Sequence, residues 1–425
     1  MGTKVLFYGA GENALMTYRR AAQKSVLYGE PAAFIDRDIN KHGHTLFSLP
    51  ILSWEDAKKQ YGNNFYIYIT GNEKAGPEII AFLLEQGIDP ARIINYEPVE
   101  KRYGCWKTES YLFVRPFGDK VGYGTCGRTS ESLEIAETRH FGGVYTPSEA
   151  VRPENVCHAV KQVHLLSQEL ADGTKDPYHN GCPNRGTRYY YKNRMIRDLL
   201  FTGNGACNFR CTYCVLHDKN YPSRIMYADY FSIFSDVIQC LEEEKLIHSD
   251  AVIRLSSGEF TIHRGAEELI KQCDAHPMEL FTNAYIYSPA TANALEKSAM
   301  VFCSMDAGTT GTFKQVKGVD GYERVSENLR EYAKHGPVVL KYILMDGVND
   351  TPEDLAGFLD LADEIAARVV LSRDYTDLDH AFSNRALQFA AQYITHFKKQ
   401  GKIDVADSFT RSGEKARLNK LLEEI

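Results

Sequence analysis

Three cysteines lie close together in the middle of the chain, at Cys207, Cys211 and Cys214. A loop of this length can bring three thiolates to one metal centre, and soft sulfur ligands suit iron–sulfur clusters. Three protein ligands for four irons leave one iron open, as in a catalytic metal site. Two simpler interpretations remain: a zinc site with His217 as its candidate fourth ligand, or ordinary buried thiols.

An alternation of strands and helices, beginning near residue 191, must position this loop. Its strand candidates are apolar runs, at residues 198–202, 251–256, 279–282, 300–305, 338–344 and 368–372. Ser288-Pro289 and Thr351-Pro352 each place a capping residue before proline, which is typical of a helix start. Six strand–helix units predict an α/β fold, a partial (β/α)6 TIM-like barrel over residues 191–425 that ends in C-terminal helices. Chemistry is then expected at the C-terminal ends of the strands.

The cysteine loop resembles the signature of the radical S-adenosylmethionine (SAM) superfamily. The sequence Cys207-Asn-Phe-Arg-Cys211-Thr-Tyr-Cys214 matches the family pattern C-x-x-x-C-x-aromatic-C, with Tyr213 at the aromatic position. Ser257-Gly258-Glu259 is similar to the family's G-G-E motif, with Ser257 replacing the first glycine. The resemblance implies that the acidic residue or the backbone there binds the SAM amino group.

Later strand ends extend the resemblance, which covers residues 195 to 375. Thr282-Asn283-Ala284 lies where the family often has Thr-Asn-Gly, and 302–308 resembles the stretch that contacts the SAM carboxylate and ribose. Residues two apart on a strand share a face, so we expect Ser304 and Asp306 to point inward together. The stretch 347–350 after the fifth strand is also similar to the family.

The resemblance implies a [4Fe–4S] cluster and SAM as cofactors. The SAM amine and carboxylate would chelate the open iron, and the reduced cluster would cleave SAM to methionine and a 5′-deoxyadenosyl radical. That radical would take hydrogen from an unactivated C–H bond of a small-molecule substrate. An electron donor such as flavodoxin or ferredoxin, and sensitivity to oxygen, are further expectations.

Charged residues on the barrel strands are the remaining candidates for catalysis. They are Arg254 on the second strand, Lys341 on the fifth and Asp374 after the sixth. A buried charge in a strand is costly unless it is paired. Each residue is therefore either functional or a member of a structural ion pair.

Residues 1–100 predict a small Rossmann-like domain with a parallel sheet. Strand patterns at 5–8, 33–35, 65–70 and 93–96 alternate with helical patterns that begin near Asn13, Trp54 and Pro77.

Gly9-Ala-Gly11 lies between a strand and a helix, as a phosphate-binding turn requires, and Asp36 follows the second strand as a ribose-binding acid would. The segment resembles Rossmann-like domains of sugar-modifying acyltransferases, which implies a nucleotide or nucleotide-sugar ligand. An empty structural domain and a redox dinucleotide site are the alternatives.

The intervening segment, residues 101–190, contains a strand candidate at Ser110–Pro116 and four cysteines, Cys105, Cys126, Cys157 and Cys182. Four thiolates can complete a second, closed [4Fe–4S] cluster. The stretch from Tyr111 to Cys126 resembles auxiliary-cluster segments of the SPASM group, although those usually follow the barrel. Small buried thiols are the alternative.

The composition narrows the partners of the chain. The 425 residues carry a formal net charge of −7 and a pI near 6.0, which gives no reason to expect a nucleic-acid partner. No export signal and no apolar run of membrane-spanning length is found, so a cytoplasmic location and no membrane partner are expected.

Three functions follow from these patterns. The leading hypothesis is a radical SAM enzyme for a carbohydrate or nucleotide-linked substrate, with a nucleotide-sugar as one candidate. The alternatives are a peptide- or protein-modifying radical SAM enzyme with an auxiliary cluster, and a non-catalytic iron–sulfur binding protein.

Overall fold

The structure, a computed structural model, divides into two compact units. It describes residues 2–117, 120–125, 141–171, 185–202, 206–214, 230–256, 258–374, 380–405 and 409–425. The first unit comprises 1–204, 222–257 and 268–279, and the second comprises 205–221, 258–267 and 280–425.

The first unit opens with a five-stranded sheet covered by helices. Its strands are β1 (Lys4–Tyr8), β2 (Glu30–Ile35), β3 (Thr45–Leu46), β4 (Leu49–Leu52) and β5 (Phe65–Ile69), in the order β3-β4-β2-β1-β5. The helices are α1 (Glu12–Ser25), α2 (Trp54–Tyr61) and α3 (Ala75–Glu85). Strand β1 pairs in parallel with β2 and β5, and alternate strand residues enter two apolar cores on opposite faces.

The predicted parallel strands and three helices are present, with β3 added antiparallel to β4 at one edge, but the strand predicted at 93–96 is wrong. The chain forms a 3₁₀ turn at Pro90–Arg92, and only Ile93 bridges to Ile67. Beyond it, the side-chain amide of Asn95 takes the place of strand backbone. Its Oδ1 accepts from Ile69 N at 2.8 Å and its Nδ2 donates to Ile69 O at 2.9 Å.

The first unit continues with an antiparallel pair and a second sheet. The elements are β6 (Val99–Cys105), α4 (Trp106–Ser110), β7 (Tyr111–Phe117), β8 (Lys120–Gly124), β9 (Phe141–Tyr145), α5 (Pro147–Ala150), α6 (Pro153–Ala171), β10 (Arg185–Tyr191), β11 (Ile196–Thr202), α7 (Tyr230–Glu243) and β12 (Ile247–Ser256). Strand β6 pairs with β10, and the second sheet runs β12-β11-β7-β8-β9. Strand β11 is parallel to both β12 and β7, which confirms the strand predicted at Ser110–Pro116.

The second unit alternates strands and helices. After α8 (Ala266–Gln272) and β13 (Met278–Phe281), which lie across the division, come α9 (Pro289–Lys297), β14 (Ala299–Ser304), α10 (Thr310–Lys317), α11 (Tyr322–His335), β15 (Val338–Leu344), α12 (Pro352–Glu364), β16 (Arg368–Arg373), α13 (Asn384–Lys398), β17 (Ile403–Val405) and α14 (Ser412–Glu424). Strands β14 to β17 pair side by side and in parallel.

The predicted α/β class is confirmed. All six strands predicted after residue 191 are present, as β11 to β16, and Ser288 and Thr351 cap helices α9 and α12 through their side chains. In neither unit do the described strands close into a complete barrel. Among the described helices, none has the length and apolar character to cross a membrane.

Candidate functional site

The three cysteines lie on an irregular loop, residues 206–214, that is tied to the end of helix α10. The backbone N–H of Arg210 donates to Lys317 O at 3.0 Å, and that of Thr212 donates to Val316 O at 2.9 Å. This close approach of the loop to the end of helix α10 requires a glycine after Lys317. A Cβ at Gly318 (φ +70) would lie 2.8 Å from Arg210 O. The loop is therefore fixed on both sides of Cys211.

Aromatic and amide contacts hold the first half of the loop. Phe209 is buried and packs edge-on against Tyr285 and Phe313, with ring centroids 5.6 and 5.9 Å away. Asn283 donates from its side chain to Asn208 Oδ1 at 2.7 Å and approaches Cys207 Sγ at 3.7 Å. Asn283 thus lies beside the cysteine loop, as its predicted role requires.

The chemistry of this loop fits an iron–sulfur cluster. Cys207, Cys211 and Cys214 are half-buried free thiols, and burial raises the pKa of Cys207 to about 11. The Asn208 Nδ2 is buried and has no hydrogen-bond partner among the described residues, so a donor points to no protein acceptor.

In the described ranges, no three His, Cys, Asp or Glu side chains form a group that could hold a metal ion. The three cysteines are therefore assigned as ligands from the chemistry of their thiols, because a thiol loses its proton when it binds a metal. His217 lies outside the described residues.

The Glu259 carboxylate is buried and directed into the protein. It accepts from Asn283 N at 2.5 Å, from Thr282 Oγ1 at 2.8 Å and from Thr261 Oγ1 at 2.6 Å. Burial raises the pKa of Glu259, and these hydrogen bonds oppose the rise. Gly258 before it has φ +56, a conformation that suits glycine, and Ser257 lies outside the described residues.

The strand alternation that predicts a shared face for Ser304 and Asp306 does not extend as far as Asp306. Strand β14 ends at Ser304, and Asp306 has φ +55, so the alternation stops between them. Asp306 is fully buried, where it pairs with Lys317 and accepts from Ile343 N at 2.7 Å. Ser304 remains half-buried, beside Lys341 on β15.

A family comparison covers the loop and the strand ends after it. Residues 203–362 match the radical SAM superfamily. This part of the chain is a radical SAM domain. The predicted family and enzyme class are confirmed for the domain, and the family implies a [4Fe–4S] cluster and SAM as cofactors.

Curated relatives match about a third of the chain. One is "Probable GTP 3′,8-cyclase" of Sulfolobus acidocaldarius, 27% identical over 158 residues, which are 36% of this chain and 48% of that protein. The protein of the same name from Saccharolobus solfataricus is 25% identical over 158 residues, 36% of this chain and 49% of that protein. The chain therefore spans about half the length of the curated relatives it matches.

A solved structure with a broader match is the crystal structure of Streptococcus suis SuiB bound to precursor peptide SuiA. It is 11% identical, covers 72% of this chain and 73% of that chain, and has a TM-score of 0.40. A TM-score of this size supports no argument about function.

The candidate catalytic residues of the radical SAM region have different surroundings. Arg254 on β12 pairs with the carboxylates of Asp198 (2.8 Å) and Glu279, as a structural ion pair would. Lys341 is half-buried, and burial lowers its pKa, although the Asp306 carboxylate opposes this. Asp374 follows β16 and is half-buried.

The glycine turn after strand β1 is tied to Asp36. Gly9 has φ +116, and a Cβ there would lie 2.9 Å from Gly71 N. The Asp36 carboxylate accepts from Ala10 N at 2.7 Å and pairs with Lys41 at 3.2 Å, so it braces the turn. Gly11 precedes helix α1 as its N-cap.

The cysteines proposed for a second cluster are only partly described. Cys126 and Cys182 lie outside the described residues. Cys105 is buried beside Tyr190, and Cys157 on α6 is half-buried beside Cys240. A second cluster stays a prediction.

Sequence reasoning missed the contact of Lys317 with Tyr213 and Asp306. Lys317 was not among the candidates because a charged residue at a helix end usually faces solvent. The available signal was its position four residues after the apolar Phe313, which places both on one helix face.

Proposed function

We propose that this chain is a radical SAM enzyme that holds a [4Fe–4S] cluster through Cys207, Cys211 and Cys214. When bound, the cluster and SAM supply an electron and a 5′-deoxyadenosyl radical that abstracts hydrogen from a substrate C–H bond. The observation that carries the proposal is the three-thiol loop, fixed to helix α10 within a radical SAM domain.

Seven residues of the family-like motifs are proposed to bind SAM. They are Tyr213, Ser257, Gly258, Glu259, Asn283, Ser304 and Asp306. Asn283 has direct support, because its amide lies next to Cys207 and Asn208. For Glu259, the engaged carboxylate favours a role through the backbone of its turn, and for Asp306 burial favours an indirect role.

The proposed substrate is a carbohydrate or nucleotide-linked small molecule. The curated relatives are named for a cyclase of GTP, a nucleotide. Residues 1–100 contain parallel strands, and their resemblance to Rossmann-like domains of sugar-modifying acyltransferases implies a nucleotide or nucleotide-sugar ligand. We keep the predicted division into 1–100, 101–190 and 191–425, in which Gly9, Gly11 and Asp36 would contact the nucleotide. Asp36 would do so while it braces the turn.

The test of radical chemistry is the formation of 5′-deoxyadenosine. The protein is reconstituted anaerobically with iron and sulfide, reduced with dithionite and mixed with SAM, and the nucleoside is quantified by chromatography. Formation of 5′-deoxyadenosine that depends on the cluster supports the proposal. Its absence from protein that contains about four irons per chain would favour the non-catalytic iron–sulfur protein.

The substrate class has its own test. Calorimetry of the full chain with UDP-glucose, GTP and an unmodified peptide separates the alternatives. Heat from either nucleotide, lost in Gly11→Phe, supports the nucleotide-linked class, because a large side chain would obstruct the turn. Binding of the peptide alone would contradict it and favour the peptide-modifying alternative.

A further inference from the structure

Three polar side chains meet behind the cysteine loop. Lys317, the last residue of α10, pairs with Asp306 and donates to Tyr213 Oη at 2.8 Å. Tyr213 in turn donates to Asp306 Oδ2 at 2.5 Å. The Lys317 side chain is 2% exposed and that of Asp306 0%. In this cluster, Lys317–Asp306–Tyr213, each side chain therefore contacts the other two, and the Lys317 and Asp306 side chains are shielded from water.

Burial of this lysine is not explained by its helix alone. Lys314, one turn earlier on α10, reaches solvent, with 63% of its side chain exposed, and pairs with the exposed Asp320 at 3.2 Å. A buried ammonium is costly unless charged and polar partners replace its hydration. Lys317 finds these partners in Asp306 and Tyr213, and Tyr213 belongs to the cysteine loop.

The Asp306 side of the cluster is anchored to the parallel strands. Asp306 Oδ1 accepts from Ile343 N of β15 at 2.7 Å. Its backbone carbonyl accepts from Asn349 Nδ2 at 2.9 Å, and Asn349 also donates to Ile343 O at 2.8 Å. These bonds hold the left-handed backbone at Asp306. The Asp306 carboxylate is therefore fixed in position, and Lys317 and Tyr213 bind to it.

Lys317 reaches the loop through both its backbone and its side chain. Its carbonyl accepts from Arg210 N, before Cys211, while its ammonium donates to Tyr213, after Cys211. One residue thus contacts both flanks of a proposed cluster ligand.

We propose that Lys317 is a positioning residue of the cluster site, which fixes Cys211 and Cys214 by linking Tyr213 to the anchored Asp306. The proposal rests on the proposed cluster role of these cysteines. It assigns to the hydroxyl of Tyr213 a function that the aromatic position of the signature does not itself require, because a phenylalanine there could not form hydrogen bonds with Lys317 or Asp306.

The experiment compares Lys317→Met with Lys314→Met, its matched control on the same helix. Both proteins are reconstituted anaerobically, and the loss of iron to a ferrous chelator is followed well below the thermal midpoint of each. Hydrogen exchange of the peptide containing 207–214 is measured in the same proteins, with and without iron. Loss of a hydrogen bond to a charged group predicts iron release faster by about tenfold or more in Lys317→Met, and unchanged release in Lys314→Met.

Two further variants guard against a folding defect. Tyr213→Phe keeps the Lys317–Asp306 pair and should accelerate iron release by a smaller factor. The double variant Asp306→Asn/Lys317→Met removes both buried charges together, and it should fold yet release iron quickly. Lys317→Met or the double variant could fold and show both wild-type iron release and wild-type hydrogen exchange in residues 207–214. Lys317 would then have only a structural role, and the proposal would be wrong.

The outcome also separates this proposal from the proposed function. Wild-type protein that takes up no iron through the cysteine loop would refute the cluster. The positioning role of Lys317 would still be tested by hydrogen exchange in iron-free protein. There, Lys317→Met should increase the exchange of the Arg210 and Thr212 amide hydrogens. Unchanged exchange there would overturn the positioning role.

Discussion

Glu259 accepts a hydrogen bond from the backbone N–H of Asn283 at 2.5 Å. This bond joins the glycine turn after β12 to the residue that touches Cys207, and Thr282 and Thr261 donate to the same carboxylate. Glu259, which resembles a SAM ligand of the family, therefore also holds Asn283, Thr282 and Thr261 in place by hydrogen bonds. A SAM-binding role and a structural role of this carboxylate predict different effects of mutation.

Replacement of Glu259 by glutamine should destabilise the protein. The amide NH₂ of glutamine would face groups that now donate to a carboxylate, and each such mismatch costs about 1–3 kcal/mol. We expect the free energy of unfolding to fall by roughly 2–4 kcal/mol on this basis, measured by urea denaturation without cofactors. The exposed Glu267 supplies the control, Glu267→Gln. Unchanged stability with weaker SAM binding would instead assign the carboxylate directly to SAM.

Each loop cysteine should be required for iron binding. Cys207→Ala, Cys211→Ala and Cys214→Ala remove one of three protein ligands, so iron after reconstitution should fall well below the value of about four expected for one cluster. Cys273→Ala is the control, because Cys273 is fully buried and lies outside the loop. Iron is determined colorimetrically beside the visible absorption spectrum. Wild-type iron in any loop variant would contradict the ligand assignment.

Iron content also tests the second cluster. About eight irons per chain would support two clusters and about four would leave Cys105, Cys126, Cys157 and Cys182 without that function. Because Cys105 and Cys157 have different neighbours among the described residues, Tyr190 and Cys240, we expect about four. A fall from eight to four in Cys157→Ala would show the opposite.

The structure shows which predictions local sequence patterns support. The six strands after residue 191 are recognisable because each is a compact apolar run, and capping signals at Ser288 and Thr351 mark helix starts. The prediction of a strand at 93–96 was wrong, because apolar residues alone do not show that the Asn95 side chain replaces backbone pairing.

The surroundings of site residues were less predictable, because they depend on contacts distant in sequence. Alternation placed Asp306 beside Ser304, but a left-handed residue ends that alternation and no pattern announces it. The partner of Lys317, Tyr213, is 104 residues away in the chain. Spacing identified the cysteine loop, whereas the residues that hold it became visible only in three dimensions.

Arg254 should be structural and not catalytic. Its guanidinium lies between the buried carboxylates of Asp198 and Glu279, so Arg254→Met leaves both unpaired and should cost about 3–5 kcal/mol of stability. The neutral triple variant Asp198→Asn/Arg254→Met/Glu279→Gln should recover much of this loss. Arg264→Met, at an exposed position, is the control. Urea denaturation measures all three, and a stable Arg254→Met that still cleaves SAM but forms no product would indicate catalysis instead.

The ion pair between Arg373 and Glu414 should make stability depend on acid pH. Burial raises the pKa of Glu414, but hydrogen bonds from Arg373 and from the backbone of Arg411 and Phe382 outweigh it and lower the pKa to about 2. An unfolded glutamate has a pKa of about 4.3. Because the folded value is lower, the contribution is fully present above about pH 4.3 and is lost as the pH falls towards about 2.

The shift corresponds to roughly 3 kcal/mol at neutral pH, since the Glu414 side chain is only 4% exposed. Glu414→Gln should therefore be less stable than wild type by a similar amount at pH 7, and the difference should narrow between pH 4 and pH 3. Urea denaturation across that range measures it, with Glu424→Gln as the surface control, because exposed pairs contribute little. A difference of the same size at pH 7 and pH 3 would mean that the charge of Glu414 is not what binds helix α14 to Arg373.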